Sequence, residues 1–250
     1  MVVAIKKILQ ITDTHLDEKS TTHGHNVYDK LAMVFEQTIE KKDFDLIIFS
    51  GDISDKGSLN SYEWLAKKTE NYNSKIIWMA GNHDNVDNMK QVFNLPFLID
   101  IEKNKLNYQL NLSGINILCL DTNDKLLSDT QIDWLIESTD DNTIIFIHHP
   151  PMTCASPFMD NNHSLANWEI IKEKLSTISN KTFRFFCGHY HQESYISYQN
   201  IHLFLTPSTM FQIDRHKPHF QIANTLSGYR IIEIFEDKSF KTYCDYIFIT

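Results

Sequence analysis

Five short apolar runs in this chain stop in the same manner, and that repeated ending constrains the fold more than any other feature. Residues 5–12 lead into Asp13-Thr14-His15, and residues 46–50 into Gly51-Asp52. Residues 75–79 lead into Gly81-Asn82-His83-Asp84. Residues 144–147 lead into His148-His149-Pro150, and residues 183–187 into Gly188-His189-Tyr190-His191. A short apolar run bounded by turn residues reads as a buried strand. Strands apolar on both faces belong between layers, as in parallel sheets. Each of these strands therefore delivers Asp, Asn or His where it stops, and we expect the five ends to converge on one metal-dependent hydrolytic site.

The intervening segments alternate in period. From Val27, the residues Tyr28, Leu31, Val34/Phe35 and Thr38/Ile39 share a helical face, with Lys41 and Lys42 expected to close it. A second helix is expected over residues 59–72 and a short one over 89–93. Residues 107–112 alternate, Ser113-Gly114 turns, and 115–120 returns, which predicts a hairpin. Ser128 with Gln131 forms a capping box ahead of a helix that turns Ile132, Leu135 and Ile136 inward. Residues 150–163 hold three of the six prolines and predict a loop over the site. Trp168, Ile171 and Leu175 mark another helix, and 194–198 with 201–205 a hairpin. Residues 206–225 read as irregular, and 229–235 with 240–249 as a closing strand pair. No linker and no repeat interrupts residues 1–250, so one α/β domain is expected, with two mixed sheets packed together and helices outside.

Net charge is −9 and there are three arginines, Arg184, Arg215 and Arg230. That balance argues against a nucleic-acid groove, which needs clustered Lys and Arg. A small anion remains compatible, because bound cations can supply the positive charge. The four cysteines are scattered without a CxxC and read as reduced core residues, which with the absence of a signal-peptide pattern predicts a cytoplasmic protein. No apolar run is long enough to span a bilayer. Oligomeric state stays open, a homo-oligomer included.

Three of only seven glycines, Gly51, Gly81 and Gly188, stand directly before a candidate ligand. Asp13 and His15 alternate, so extended backbone would turn both to one side, and His189 and His191 repeat that spacing. A carboxylate at Asp52, after a buried strand, needs a partner or a cation. Asn82 adds a neutral oxygen and His148 a further imidazole. Asp13, His15, Asp52, Asn82, His148, His189 and His191 are too many ligands for one ion. A bridging Asp would let them serve two ions about 3.5–4 Å apart. Mixed nitrogen and oxygen donors without thiolate suit Mn, Fe or Zn better than Ca or Mg. The helical spacing of Trp64, Trp134 and Trp168 marks core positions, and His202, His216 and His219 read as surface or structural.

Asp-x-His, Gly-Asp, Gly-Asn-His-Asp, His-x-Pro and Gly-His-x-His stand in this order from Asp13 to His191. In that order they resemble the motifs of calcineurin-like metallophosphoesterases. Asp13-Thr14-His15-Leu16, His148-His149-Pro150, Asp160 with His163-Ser164-Leu165, Thr206-Pro207-Ser208-Thr209 and Gly228-Tyr229-Arg230 extend the likeness to bacterial class III 3′,5′-cyclic AMP phosphodiesterases. The resemblance implies a four-layer α/β/β/α sandwich holding two divalent transition-metal ions, iron or manganese first and zinc third. It implies Asp13, His15, Asp52 and His191 on the first ion, and Asp52, Asn82, His148 and His189 on the second. His83 would face the scissile phosphate as the catalytic acid, oriented by Asp84. The substrate would lie against His15, Asp52, Asn82, His83 and His191, and its ring would open to a 5′-monophosphate. Which of His148 and His149 is a ligand is left open, as are the roles of His23, His25 and His163. Another phosphodiester, such as a glycerophosphodiester or a 2′,3′-cyclic nucleotide, is the first alternative. A metal-free scaffold is the second, although none of the seven ligands is missing.

Overall fold

A computed structural model describes residues 4–19, 21–22 and 24–248. In the first of two mixed sheets, Lys6–Ile11 lies parallel to Leu46–Ser50 and antiparallel to Ser227–Ile234. Lys75–Met79 extends the parallel side, and Phe240–Ile247 the antiparallel side. In the second sheet, Thr143–Ile147 and Phe183–Cys187 run parallel at the centre, flanked in parallel by Ile115–Leu120 and Ile201–Leu205. Asn107–Leu112 and Ser194–Tyr198 add antiparallel neighbours, and the two-residue strand Leu98–Ile99 ends one edge. With helices outside, this is the expected α/β/β/α sandwich.

Burial follows the sequence pattern. Leu46–Ser50 and Thr143–Ile147 are buried at every position, as strands covered on both faces must be. Phe49, Trp78 and Phe93 stack in series, with centroids 4.7 and 4.1 Å apart. Helix Val27–Gln37 is capped by the Asn26 side chain and buries Val27, Leu31, Val34 and Phe35. It ends at Thr38, so Lys41 and Lys42 lie beyond it and do not close it as expected. The capping box at Ser128 forms with both of its hydrogen bonds. Trp64, Trp134 and Trp168 pack half-buried against the core. All four cysteines are free, three of them buried.

Short elements appear where the sequence suggested loops. Helix Pro157–Asn162 occupies the segment over the site, with proline in its first turn, where a missing N–H costs nothing. Gln212–Ile213 pairs with Ile222–Asn224, and Thr21–Thr22 with His25–Asn26. Elements this short carry no readable period.

Polar side chains fasten the two sheets at the rim. The Thr206 hydroxyl donates to Gln10 Oε1 (2.7 Å), and Gln10 Nε2 donates to Ser50 Oγ (2.9 Å). Buried Arg230 donates from Nε to Thr206 Oγ1 (2.9 Å) and from Nη2 to the Leu205 carbonyl (2.8 Å). The strands that end in candidate ligands therefore finish side by side. Among the described residues, no helix is long and apolar enough to cross a membrane.

Candidate metal centre

Five of the seven candidate ligands have left-handed backbone: Asp13 (φ 53°), His15 (45°), Asp52 (50°), His189 (66°) and His191 (47°). This corrects the expectation that extended alternation turns each pair to one side. Asp13 and His15 still bond across to the Gly51 and Asp52 carbonyls, at 3.1 and 2.9 Å, and kink between these anchors. Such conformations cost about 1–3 kcal/mol each and persist where surrounding bonds over-determine them. Two glycines permit the crowding. A Cβ on Gly81 would lie 2.3 Å from Asp52 Oδ1, and one on Gly188 2.1 Å from Thr12 Oγ1.

Backbone carbonyls fix the tautomers of three imidazoles, because a carbonyl can only accept. His148 donates from Nδ1 to Ser50 (2.9 Å), and His191 from Nδ1 to Phe211 (3.1 Å). His189 donates from Nε2 to His163 (2.9 Å). Each ring keeps its other nitrogen for a ligand, as metal-binding histidines do. His191 Nε2 lies 3.4 Å from Asp13 Oδ1 and 3.1 Å from His15 Nε2. Asp52 Oδ2 lies 3.2 Å from His148 Nε2 and 3.8 Å from His15 Nε2. Ligand atoms of Asp13, His15 and His191 fall within 4.8 Å of one another, as do those of Asp13, Asp52 and His148. His148, His149 and His189 form a third such group. Asn82 Oδ1 is buried without a hydrogen-bond partner. Carboxylate, amide and imidazole donors converging in this way fit cations, and the overlapping groups fit two.

The electrostatics agree. Burial works to raise the Asp13 pKa, but the His191 and His148 imidazoles overcome it and hold the carboxyl at about 2. Burial likewise opposes a charge on His148, and Asp52 and Asp13 nonetheless push it up to about 9. Burial, then the charge on His148, brings His189 down to about 3.

His83 is the most open of the group, its side chain 41% exposed. Its Nδ1 donates to the Asp55 carbonyl (2.9 Å), with the Asp55 carboxylate 3.7 Å away. Asp84 does not orient His83, contrary to expectation. Its carboxylate turns inward and accepts from the N–H groups of Gly81, Ile53 and Ser54 and from the Tyr62 hydroxyl. Four donors make Asp84 the anchor of the loop, and burial next to Asp52 raises its pKa to about 6. Asp55 also lies 3.3 Å from His15 Nδ1. Sequence reasoning missed it, although a carboxylate three residues after Asp52 was there to read.

His149 bonds Thr122 Oγ1 through Nδ1 (2.9 Å), with its ring 4.2 Å from His189. His163 lines the cavity above the centre, and His25 lies 6.3 Å from Phe211, between ring centroids. His216 and His219 are exposed, and His202 meets the Tyr195 hydroxyl. His23 lies outside the described residues. The cavity, about 210 Å³, is lined by His15, Asp52, Asn82 and His83 together with apolar side chains.

Comparison with known proteins accords with this geometry. The family model for calcineurin-like phosphoesterases matches residues 6–193. The chain is 32% identical over 233 residues to a Fibrobacter succinogenes protein named "Probable cyclic nucleotide phosphodiesterase", covering 92% of this chain and 90% of that one. It is 30% identical to the Vibrio vulnificus 3′,5′-cyclic adenosine monophosphate phosphodiesterase CpdA, covering 90% of this chain and 84% of that one. A dimetal phosphatase from Danio rerio shares the fold, with a TM-score of 0.69 at 13% identity, covering 93% and 94% of the two chains. From motif order, fold and match alike, the chain belongs to the calcineurin-like phosphoesterase family.

Proposed function

We propose that the chain is a dinuclear-metal phosphodiesterase that opens 3′,5′-cyclic AMP, or a related cyclic nucleotide, to the 5′-monophosphate. The observation that carries this reading is Asp52 Oδ2, set between His15 Nε2 of the first sheet's loops and His148 Nε2 of the second's. A carboxylate between two donor sets suits a bridging ligand. Asp13, His15, Asp52 and His191 would hold the first ion, and Asp52, Asn82, His148 and His189 the second. His148 is favoured over His149 because its Nε2 lies 3.2 Å from Asp52 Oδ2. Iron or manganese suits these mixed donors, with zinc as a third candidate. Bound there, the cations would lower the pKa of a water and neutralise the diester charge.

The remaining work falls to the chain. His15, Asp52, Asn82, His83 and His191 line the cavity where a phosphate would sit. With Nδ1–H held by the Asp55 carbonyl, His83 has Nε2 left to hold a proton for the departing 3′ oxygen. Net charge −9 favours a small anionic diester over nucleic acid, and free cysteines favour the cytoplasm. The names of the 32% and 30% relatives support the cyclic nucleotide.

The test is the product formed from cyclic AMP when iron, manganese or zinc is returned to stripped protein. Release of 5′-AMP is expected, faster than cleavage of a glycerophosphodiester or of 2′,3′-cyclic AMP. Preference for either of these selects the alternative substrate. Inertness with every metal points to a scaffold.

A further inference from the structure

The apolar side of the cavity consists of Phe158, Met159, Met210, Phe211, Ile213 and Phe220. Phenylalanine offers no hydrogen bond, and a methionine sulfur only a weak one. The rings of Phe158 and Phe220 lie 5.8 Å apart at 60°, and those of buried Phe211 and Phe220 6.0 Å apart at 77°, so Phe158 and Phe211 brace Phe220 edge to face. Phe220 is 43% exposed, an unusual placement for a large aromatic beside a polar centre.

The loop that carries His189 and His191 holds both lips of this wall. His189 Nε2 donates to the His163 carbonyl (2.9 Å) and the Tyr190 hydroxyl to Asp160 Oδ1 (2.9 Å). Asp160 also accepts from the N–H groups of Cys154 and Ser156. These bonds fix helix Pro157–Asn162, which bears Phe158. On the other lip His191 Nδ1 donates to the Phe211 carbonyl (3.1 Å), and Ile213 N–H donates back to the His191 carbonyl (2.8 Å). The hairpin from Gln212–Ile213 to Ile222–Asn224 then carries Phe220. The wall is thus indexed to the metal centre through three consecutive residues.

We infer that this wall is a nucleobase subsite, which holds the base by stacking on the exposed face of Phe220 with apolar contact from Phe158, and does not read its edge through those side chains. The inference rests on the phosphodiesterase reading and adds which side chains hold the base and that they do not select among bases by their edges. A flat heteroaromatic base gains from the Phe220 face, whereas glycerol or a small aliphatic alcohol gains little. Stacking tolerates any base because every base has a π-face. Purines are therefore favoured over pyrimidines by area, with adenine and guanine taken about equally.

The experiment uses the metal-loaded full chain and isothermal titration calorimetry with inorganic phosphate, ribose 5-phosphate and 5′-AMP. The native protein should bind 5′-AMP about tenfold more tightly than ribose 5-phosphate, the worth of one stacked base. Phe220→Ala should remove most of that difference while the phosphate constant moves less than about twofold, and Phe220→Trp should keep it. Hydrolysis of cyclic AMP and cyclic GMP should agree in kcat/KM within about threefold. Equal affinity of the native protein for 5′-AMP and ribose 5-phosphate overturns the inference while leaving the phosphodiesterase reading in place. So does an equal loss of phosphate and 5′-AMP binding in Phe220→Ala. Failure to bind phosphate or cleave any diester overturns both.

Discussion

The two sheets contribute unlike halves to one centre. Loops of the first sheet carry every carboxylate and the amide: Asp13, Asp52, Asp55 and Asn82, together with His15 and His83. Loops of the second carry imidazoles only, His148, His149, His189 and His191, and the connections after its strands add the aromatic wall. One half brings negative charge, and the other brings imidazoles and an apolar surface. Negative charge alone would favour hard cations with all-oxygen shells, and imidazole alone would leave a divalent ion's charge uncompensated. Only the docked pair of sheets brings carboxylate, amide and imidazole donors together beside an apolar surface.

Removing the shared carboxylate breaks this division most severely. Asp52→Asn should lose metal from both positions, with turnover down by more than about 10³-fold, beyond the 10–100-fold expected for an outer-shell partner. Elemental analysis beside the assay checks it. Full retention of metal and activity would show that the first sheet's carboxylates are not shared. His83→Ala tests the same half without touching the ligands. It should keep its metals and lose roughly 10²–10⁴ in turnover, the range for a general acid. Near-normal turnover would reject that role.

Much of the first half was legible because chemistry and strand ends coincide in sequence. Asp13, Asp52 and Asn82 each follow an apolar run, and glycines crowd the turns where backbone and ligand meet. The left-handed conformations of Asp13, His15 and Asp52 were not legible, since non-glycine residues there are held by bonds from distant strands. Asp84 misled for a related reason. Adjacency to His83 suggested a partner, but successive side chains diverge, and Asp84 turned to four inward donors. In the second half the imidazoles announced themselves, while Phe158 and Phe220 did not. Their neighbours are too short as elements to show a period, and their place depends on bonds from Tyr190 and His191.

The contrast also predicts a pH response. His148 in the metal-free protein holds its proton up to about pH 9, because Asp52 and Asp13 face it. A metal must displace that proton, so affinity should rise with pH toward 9 and fall as acid is added. One proton displaced amounts to about tenfold per pH unit, or roughly 100-fold between pH 7 and pH 5. Calorimetry in two buffers of different ionisation heat counts the proton released. Release of none near neutral pH would place the imidazole of the second half outside the centre.

Docking of the halves can be loosened away from the ligands. Arg230, on the first sheet, gives two of its hydrogen bonds to Leu205 and Thr206 at the end of a second-sheet strand. Arg230→Met keeps bulk and removes the donors. It should cost about 2–3 kcal/mol in denaturant unfolding, the range for hydrogen bonds from a charged group. An unchanged midpoint would mean that the apolar core alone aligns the sheets.

The smallest expected effect lies within the first half. Asp55 faces His15 Nδ1 at 3.3 Å and His83 Nδ1 at 3.7 Å, so one carboxylate serves a candidate ligand and the candidate acid together. Asp55→Asn retains the backbone carbonyl that accepts from His83, and with it the tautomer. What it removes is negative charge beside both rings. Outer partners of this kind are worth 10–100-fold, and the surviving carbonyl places this variant near the low end, at about tenfold in turnover. Metal titration separates the two roles. Weakened binding of one ion with proportionate loss of activity assigns Asp55 to His15, whereas full occupancy with slower turnover assigns it to His83.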